Sequence, residues 1–198
     1  MAGTSAPIER PTASDGAMSL LSKAVLAGSF TFLLGLSAQF KIPMPPDGVP
    51  QTLQTLVVAI AAMGLGGRWG AISILLYLII GALGAGVFSE GQAGVGVLMG
   101  QTGGFLFGFL LAQPVIASII RRRDGTVRGW GAIVSAMLAG HTVIFLIGVP
   151  WFAVVRDFTL VRAFQGACFP FLPGMIIKTI AAVFIGLACW PNSARRFW

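Results

Sequence analysis

Long runs of apolar residues, separated by short polar or glycine- and proline-rich segments, dominate this chain. Most of these runs approach the roughly 20 residues that an α-helix needs to cross a bilayer. The pattern therefore predicts an all-α integral membrane protein with about six transmembrane helices, forming one membrane domain over residues 20–190. The six runs are Leu20–Phe40, Leu53–Gly66, Gly70–Phe88, Leu98–Ile120, Trp130–Trp151 and Phe171–Trp190.

The segments between and outside the runs have their own character. The second run is short and reaches the third through Gly64–Gly70 (GLGGRWG), which predicts a tight helical hairpin. Arg156–Pro170 has a partly amphipathic pattern and is expected to form a helix along the membrane interface. Residues 1–19 are polar and contain two prolines, which predicts a disordered tail, and residues 191–198 form a second short tail.

Composition supports membrane insertion. Hydrophobic residues make up 56% of the chain and charged residues only 10%, whereas about a quarter of an ordinary soluble protein is charged. The net charge of +7 therefore indicates basic loops at the cytoplasmic membrane surface, and no nucleic-acid partner is expected. These features predict a multi-pass membrane protein.

Lysine and arginine are distributed unevenly, which predicts an orientation. With the N-terminus inside, nine of them fall in inner segments and three in outer loops, so both termini are predicted to be cytoplasmic. The inner set is Arg10, Lys23, Arg68, Arg121, Arg122, Arg123, Arg128, Arg195 and Arg196. The outer set is Lys41, Arg156 and Arg162, and Lys178 lies within the last run.

The sequence offers little catalytic chemistry. It contains neither the GxxxxGK[ST] phosphate loop nor a GxSxG nucleophile motif, and every acidic residue falls in a tail or loop. The single histidine, His141, has no neighbouring metal ligands and is expected to be a satisfied, hydrogen-bonded residue between helices. We therefore expect no enzyme activity, cofactor, metal or proton coupling, and a protein that binds a ligand and takes its energy from elsewhere.

Lys178 is the most informative residue. It lies about two turns inside an apolar run with no acid within one turn, where an unpaired charge costs from about 2.5 to more than 10 kcal/mol. Three polar clusters are predicted on the same side of the membrane. They are Val49–Thr55, Val87–Gly96 followed by Gly100–Gly108, and Phe169–Lys178. Together they predict an outward-facing pocket of aromatic rings, amides and one cation, suited to a small anionic ligand.

The same segments resemble motifs of the BioY family, the substrate-binding S components of energy-coupling factor (ECF) biotin transporters. Pro50–Leu56 (PQTLQTL) resembles the family's P-x-T-L-Q-T-L. Gly100–Gly104 (GQTGG) resembles the start of G-P-T-G-G-Y, and Pro170–Lys178 (PFLPGMIIK) resembles P-F-L-P-G-D-x-x-K. The resemblance runs from about residue 20 to residue 190, with the motifs in the family's order.

Two departures from these motifs concern the ligand. Met175 stands where the family has an acidic residue, and Gln101 stands where it has proline. By resemblance Lys178 contacts substrate, but the acidic role does not transfer to Met175, because a thioether is a weak acceptor. Two explanations stay open: the Gln101 carboxamide takes over a polar contact, or the chain binds biotin more weakly or binds another small vitamin.

The resemblance implies biotin as the ligand, the bacterial inner membrane as the location, and a transmembrane coupling subunit with ATPase subunits as partners. A solitary or self-associating biotin transporter is the alternative. Ala24 and Gly28 give the first run a small-xxx-small spacing, which fits contact with the coupling subunit or packing within the chain. The loop Ile42–Pro50 is expected to close over the ligand. The predicted ligand-binding residues are Thr52, Gln54, Phe88, Gly94, Gly96, Gln101, Thr102, Phe171 and Lys178.

Two other classes of protein compete with a transport subunit. A membrane enzyme acting on a lipid or peptide would need a nucleophile–base pair that the sequence does not offer. A purely structural scaffold would leave the intramembrane charge of Lys178 and the polar segments without a role.

Overall fold

The computed structural model describes residues 20–42, 49–123 and 126–189, and these are mostly helical. Five helical stretches in these ranges are long and apolar enough to cross a membrane, with α6 and α7 together forming one of them. The elements are α1 (Leu20–Gln39), β1 (Lys41–Ile42), β2 (Gln51–Thr52), α2 (Gln54–Ala82), α3 (Val95–Met99), α4 (Gly103–Ile120), α5 (Trp130–Val155), α6 (Leu160–Ala167) and α7 (Leu172–Cys189), with single 3₁₀ turns at Ser89–Gly91 and Phe169–Phe171.

The long helix α2 is folded back on itself at Gly66. This glycine has φ +71°, a backbone conformation that a side chain disfavours. The Nε2 atom of Gln54 donates a hydrogen bond to the Tyr77 hydroxyl at 2.8 Å, although the two residues are 23 positions apart. In a straight helix they would be about 35 Å apart. The predicted hairpin is therefore confirmed, with the second apolar run as its first leg and the third run as its second. The second leg ends at Ala82, six residues before the predicted end at Phe88, so the end of the third run was wrong.

Helix α4 lies between α2 and α5 and packs against both. Its glycines allow close approach: a Cβ atom at Gly108 would lie 3.0 Å from the Cα of Ile144 on α5. Gly104, four residues earlier, similarly leaves room for the Trp151 side chain. Small residues at this spacing let membrane helices pack backbone to backbone, which substitutes for the hydrophobic driving force that lipid removes.

The predicted fourth run, Leu98–Ile120, differs from the structure at its start. The chain forms the short helix α3, breaks at Gly100–Thr102, and begins α4 only at Gly103. A Cβ atom at Gly103 would collide with the carbonyl oxygen of Leu98, so the break depends on a glycine.

The amphipathic helix is confirmed as α6, whose N-terminus is capped by Thr159. Pro150 lies inside α5, which continues to Val155, four residues beyond the predicted end.

The outer surface of the bundle is apolar. On α1, Leu21 is 74% exposed and Phe32 is 73% exposed, which fits a lipid-facing helix. Together with the long apolar helices, this surface indicates a multi-pass membrane protein. The two predicted tails (1–19 and 191–198), Trp190, and positions 43–48 of the predicted lid loop lie outside the described residues, so those predictions stay open.

Candidate functional site

A cavity of about 230 Å³ opens among the helices at the end of the bundle where α2, α4 and α7 begin. The Gly66 turn lies at the opposite end, beside Arg121 at the end of α4. Residues from α2, α4, α5 and α7 and from the connecting segments line the cavity. A space of this kind, enclosed by several helices with a few polar groups in an apolar wall, is typical of a small-molecule site.

Most of the predicted ligand-binding residues meet in this cavity. Seven of the nine line it: Thr52, Gln54, Phe88, Gln101, Thr102, Phe171 and Lys178. The other two do not. Gly94 forms the turn before α3 with φ +92°, which gives this glycine a backbone role, and Gly96 borders a separate shallow depression beside Gln101. That any of these residues contacts a ligand remains a prediction.

Lys178 is buried in the cavity wall. Its side chain is only 4% exposed, and its Nζ atom donates to the backbone carbonyl of Thr52 at 3.2 Å. Within the described ranges no carboxylate forms a salt bridge with it. Glu90, an alternative partner in the sequence, is ion-paired with Lys41 at the cavity mouth. An ammonium group has three donor positions, so Lys178 retains hydrogen-bonding capacity toward a ligand.

Gln54 organises the site, because both ends of its amide are already used within the chain. Its Oε1 atom accepts from the Thr52 hydroxyl at 2.9 Å, and its Nε2 atom donates to the Tyr77 hydroxyl. Tyr77 in turn donates to the backbone carbonyl of Val87 at 3.3 Å. This relay joins both legs of α2 to the segment before Phe88, and so fixes the polar edge of the cavity.

Two motifs separated by more than a hundred residues are joined at the site. The Nε2 atom of Gln51 donates to the carbonyl of Phe171 at 3.1 Å. Gly174 makes this possible, because a Cβ atom there would collide with the Gln51 amide. Gln51 was not among the predicted site residues, although it lies in the PQTLQTL segment. The hydrogen bond holds the start of α7, and therefore Lys178, against the strand β2.

Aromatic rings form the apolar part of the wall. Phe105 and Phe171 stack with ring centroids 6.3 Å apart and an interplanar angle of 4°. Phe145 meets Phe171 edge to face at 5.8 Å. Flat rings in these arrangements present both faces and edges to a ligand at little conformational cost, because aromatic side chains have few rotatable bonds.

Three cavity-lining residues carry a buried polar atom without a hydrogen-bond partner in the described chain: Thr55 Oγ1, Ser89 Oγ and His141 Nε2. Buried polar atoms without partners are costly and uncommon in native proteins, so these three atoms are available to a polar ligand or to water in the cavity. The expectation of a fully satisfied His141 is wrong as far as the described residues go, since among them only its Nδ1 atom has a partner, the carbonyl of Met137. No sequence motif pointed to His141.

The two residues that depart from the family motifs occupy different positions relative to the cavity. Met175 is not part of the cavity wall, whereas Gln101 is. The Oε1 atom of Gln101 accepts a long hydrogen bond, 3.4 Å, from Arg156. The Gln101 amide nitrogen is therefore the end of this side chain that is available to a ligand in this conformation.

The small residues of α1 are exposed. Ala24 and Gly28 both face outward, and nothing in the described chain lies within 4 Å of a Cβ placed at Gly28. Packing within the described chain therefore does not account for their spacing.

The sequence comparisons with known proteins point to one family. The BioY family model matches residues 10–195. A biotin transporter BioY from Thermotoga maritima is 33% identical over 166 residues, covering 82% of this chain and 92% of that protein. The biotin transporter BioY from Rhizobium etli is 32% identical over 160 residues, covering 78% of this chain and 84% of that protein.

The fold also matches a solved structure. The S-component for biotin from an ECF-type ABC transporter superposes with a TM-score of 0.78 at 22% identity, covering 87% of this chain and 94% of that one. At this level of identity the similarity concerns the fold.

Proposed function

The chain belongs to the BioY family, and from that premise we propose that it is the substrate-binding membrane subunit of a biotin uptake system. The observation that carries the proposal is the composition of the cavity wall. It combines a buried Lys178 that has no salt bridge within the described residues, three polar atoms that have no hydrogen-bond partner there, and a cluster of aromatic rings. Biotin offers matching groups: a carboxylate and a ureido carbonyl for a cationic donor, ureido N–H groups for an acceptor, and an apolar ring and chain.

The proposed role is transport rather than catalysis. Transport against a gradient needs energy, and the sequence has no phosphate loop for ATP. We therefore propose that an ECF transmembrane coupling subunit and ATPase subunits supply it. The exposed small residues Ala24 and Gly28 on α1 support a helix–helix contact with such a subunit, because glycine and alanine let a second helix approach closely.

An equilibrium binding measurement on the purified full-length protein tests whether biotin is the ligand. Radiolabelled biotin should bind saturably and be displaced by unlabelled biotin, whereas thiamine and riboflavin should not compete. Dethiobiotin keeps the ureido and carboxylate groups and should compete, which would place recognition on those groups. Absence of saturable biotin binding by folded protein would refute the proposal, and tight binding of another vitamin would redirect it.

A further inference from the structure

The only histidine of the chain forms part of the cavity wall with a defined proton arrangement. His141 lies on α5, is 4% exposed, and has its Nδ1 atom 2.8 Å from the backbone carbonyl of Met137. A carbonyl oxygen only accepts hydrogen bonds, so Nδ1 must carry the proton of that bond. In the neutral ring the other nitrogen, Nε2, is then a bare acceptor.

This acceptor has no donor in the described chain. The other two unpaired atoms of the cavity belong to the hydroxyls of Thr55 and Ser89, which can rotate and either donate or accept. Nε2 of His141 has no such freedom, because the bond to Met137 fixes the ring. It is therefore the one of the three whose missing partner has a defined chemistry, namely an N–H or O–H donor.

Charge in the cavity supports the neutral form of the ring. Lys178 lines the same cavity, and no carboxylate in the described residues forms a salt bridge with it. Protonating His141 on both nitrogens would place a second positive charge in this buried space. A neutral acceptor beside a cationic donor is the combination that lets one ligand satisfy both.

We propose that His141 is a specificity-determining residue, whose Nε2 atom accepts a hydrogen bond from a ureido N–H of biotin while Lys178 donates to a ligand oxygen. The inference rests on the proposed function, because it takes biotin as the ligand. It also bears on Met175, which lies off the cavity wall and offers only a weak acceptor where the related motif has a carboxylate. His141 supplies an acceptor on a different helix.

Nitrogen NMR tests this directly, because a protein with one histidine gives one pair of ring signals. The full-length protein would be labelled with ¹⁵N-histidine and purified through a histidine-free tag. Without biotin, we expect a pyridine-type signal from Nε2 and a pyrrole-type signal from Nδ1. Saturating biotin should move the Nε2 signal toward the hydrogen-bonded position and leave the Nδ1 signal nearly unchanged.

The outcomes separate the two proposals. If biotin binds and the Nε2 signal does not move, the His141 proposal is refuted while the proposed function stands. A reversed tautomer, with the proton on Nε2, also refutes it. If no biotin binds to folded protein, the proposed function fails and the His141 contact fails with it.

Two variants provide an independent reading. His141→Phe keeps a ring but removes the acceptor, and biotin affinity should fall roughly three- to tenfold, as expected for one neutral hydrogen bond. His141→Gln keeps a side-chain oxygen near the Nε2 position and should recover part of that loss.

A biotin derivative methylated on the ureido nitrogens should bind the parent protein more weakly than biotin does, and this loss of affinity should be smaller in His141→Phe. An equal penalty in both proteins would contradict the contact.

Discussion

The Nζ atom of Lys178 donates a hydrogen bond to the backbone carbonyl of Thr52 at 3.2 Å, joining the last helix to the strand before α2. The carbonyl carries only a partial charge, so this bond orients the ammonium without neutralising it. A buried cation held in this way is arranged to receive an anionic or strongly polar group. The hydrogen bond from Gln51 to Phe171 fixes the same junction about two helical turns before Lys178.

Replacing the lysine should weaken binding without unfolding the protein. Lys178→Met keeps much of the apolar stem and removes the donor. A hydrogen bond to a charged group is worth roughly 1.5–3 kcal/mol, so biotin affinity should fall about ten- to a hundredfold. Folding should survive, because the loss of the hydrogen bond to Thr52 is offset by removal of a buried charge that has no salt bridge within the described residues. Equilibrium binding and size-exclusion profiles measure both effects.

A matched control is available on α1. Lys23→Met removes the same charge from a position outside the cavity wall and should leave the affinity unchanged. If Lys178→Met binds biotin as tightly as the parent protein does, the ammonium has no part in recognition.

Gln54 should behave differently, because both ends of its amide serve the chain. Gln54→Met removes the hydrogen bonds to Thr52 and Tyr77. Losing buried hydrogen bonds should cost about 1–3 kcal/mol of stability, seen as a lower thermal midpoint in detergent. Affinity for biotin should fall less than in Lys178→Met. Gln165→Met, an exposed change on α6, is the control and should leave the midpoint in place.

The sequence predicted the helical legs and Lys178 for the same reason. Long apolar runs are local signals, and a charge within one stands out whatever the rest of the fold does. The unsatisfied polar atoms of Thr55, Ser89 and His141 were missed, because a missing hydrogen-bond partner is a property of the packed structure. The incorrect start of the fourth helix has a similar origin. Apolar Leu98 continues the run, whereas the break at Gly100–Thr102 brings Gly103 so close to the Leu98 carbonyl that a Cβ atom would not fit there.

The turn in α2 should depend on the missing side chain of Gly66. Gly66→Ala puts a Cβ atom on a residue with φ +71° and within 2.6 Å of the Arg121 guanidinium. Backbone strain of this kind costs roughly 1–3 kcal/mol, so the thermal midpoint should fall. Gly131→Ala, near the start of α5 with open space around it, should be neutral or slightly stabilising. Equal midpoints for both variants would mean that the turn tolerates a side chain.

The distribution of charge predicts the orientation in the membrane. Arg121, Arg122 and Arg123 follow α4 at the end where α2 turns, opposite the cavity. Positive residues are retained on the cytoplasmic side, so the cavity should open to the outside and both termini should be cytoplasmic. An alkaline phosphatase fusion after Trp198 should be inactive and a green fluorescent protein fusion there should be bright. The opposite pattern would invert the topology.

The exposed face of α1 provides the test of partnership. Gly28→Leu adds a large side chain where nothing in the described chain lies within 4 Å of a Cβ, so biotin binding and thermal stability should be kept. If a coupling subunit packs against Ala24 and Gly28, the added bulk should separate the helices and reduce co-purification with the coupling and ATPase subunits. Leu26→Phe adds bulk on nearly the opposite face, because two residues turn a helix by about 200°, and it should leave the complex intact. Equal recovery of the complex from both variants would place the contact on another surface, whereas selective loss with Gly28→Leu would identify α1 as the docking helix.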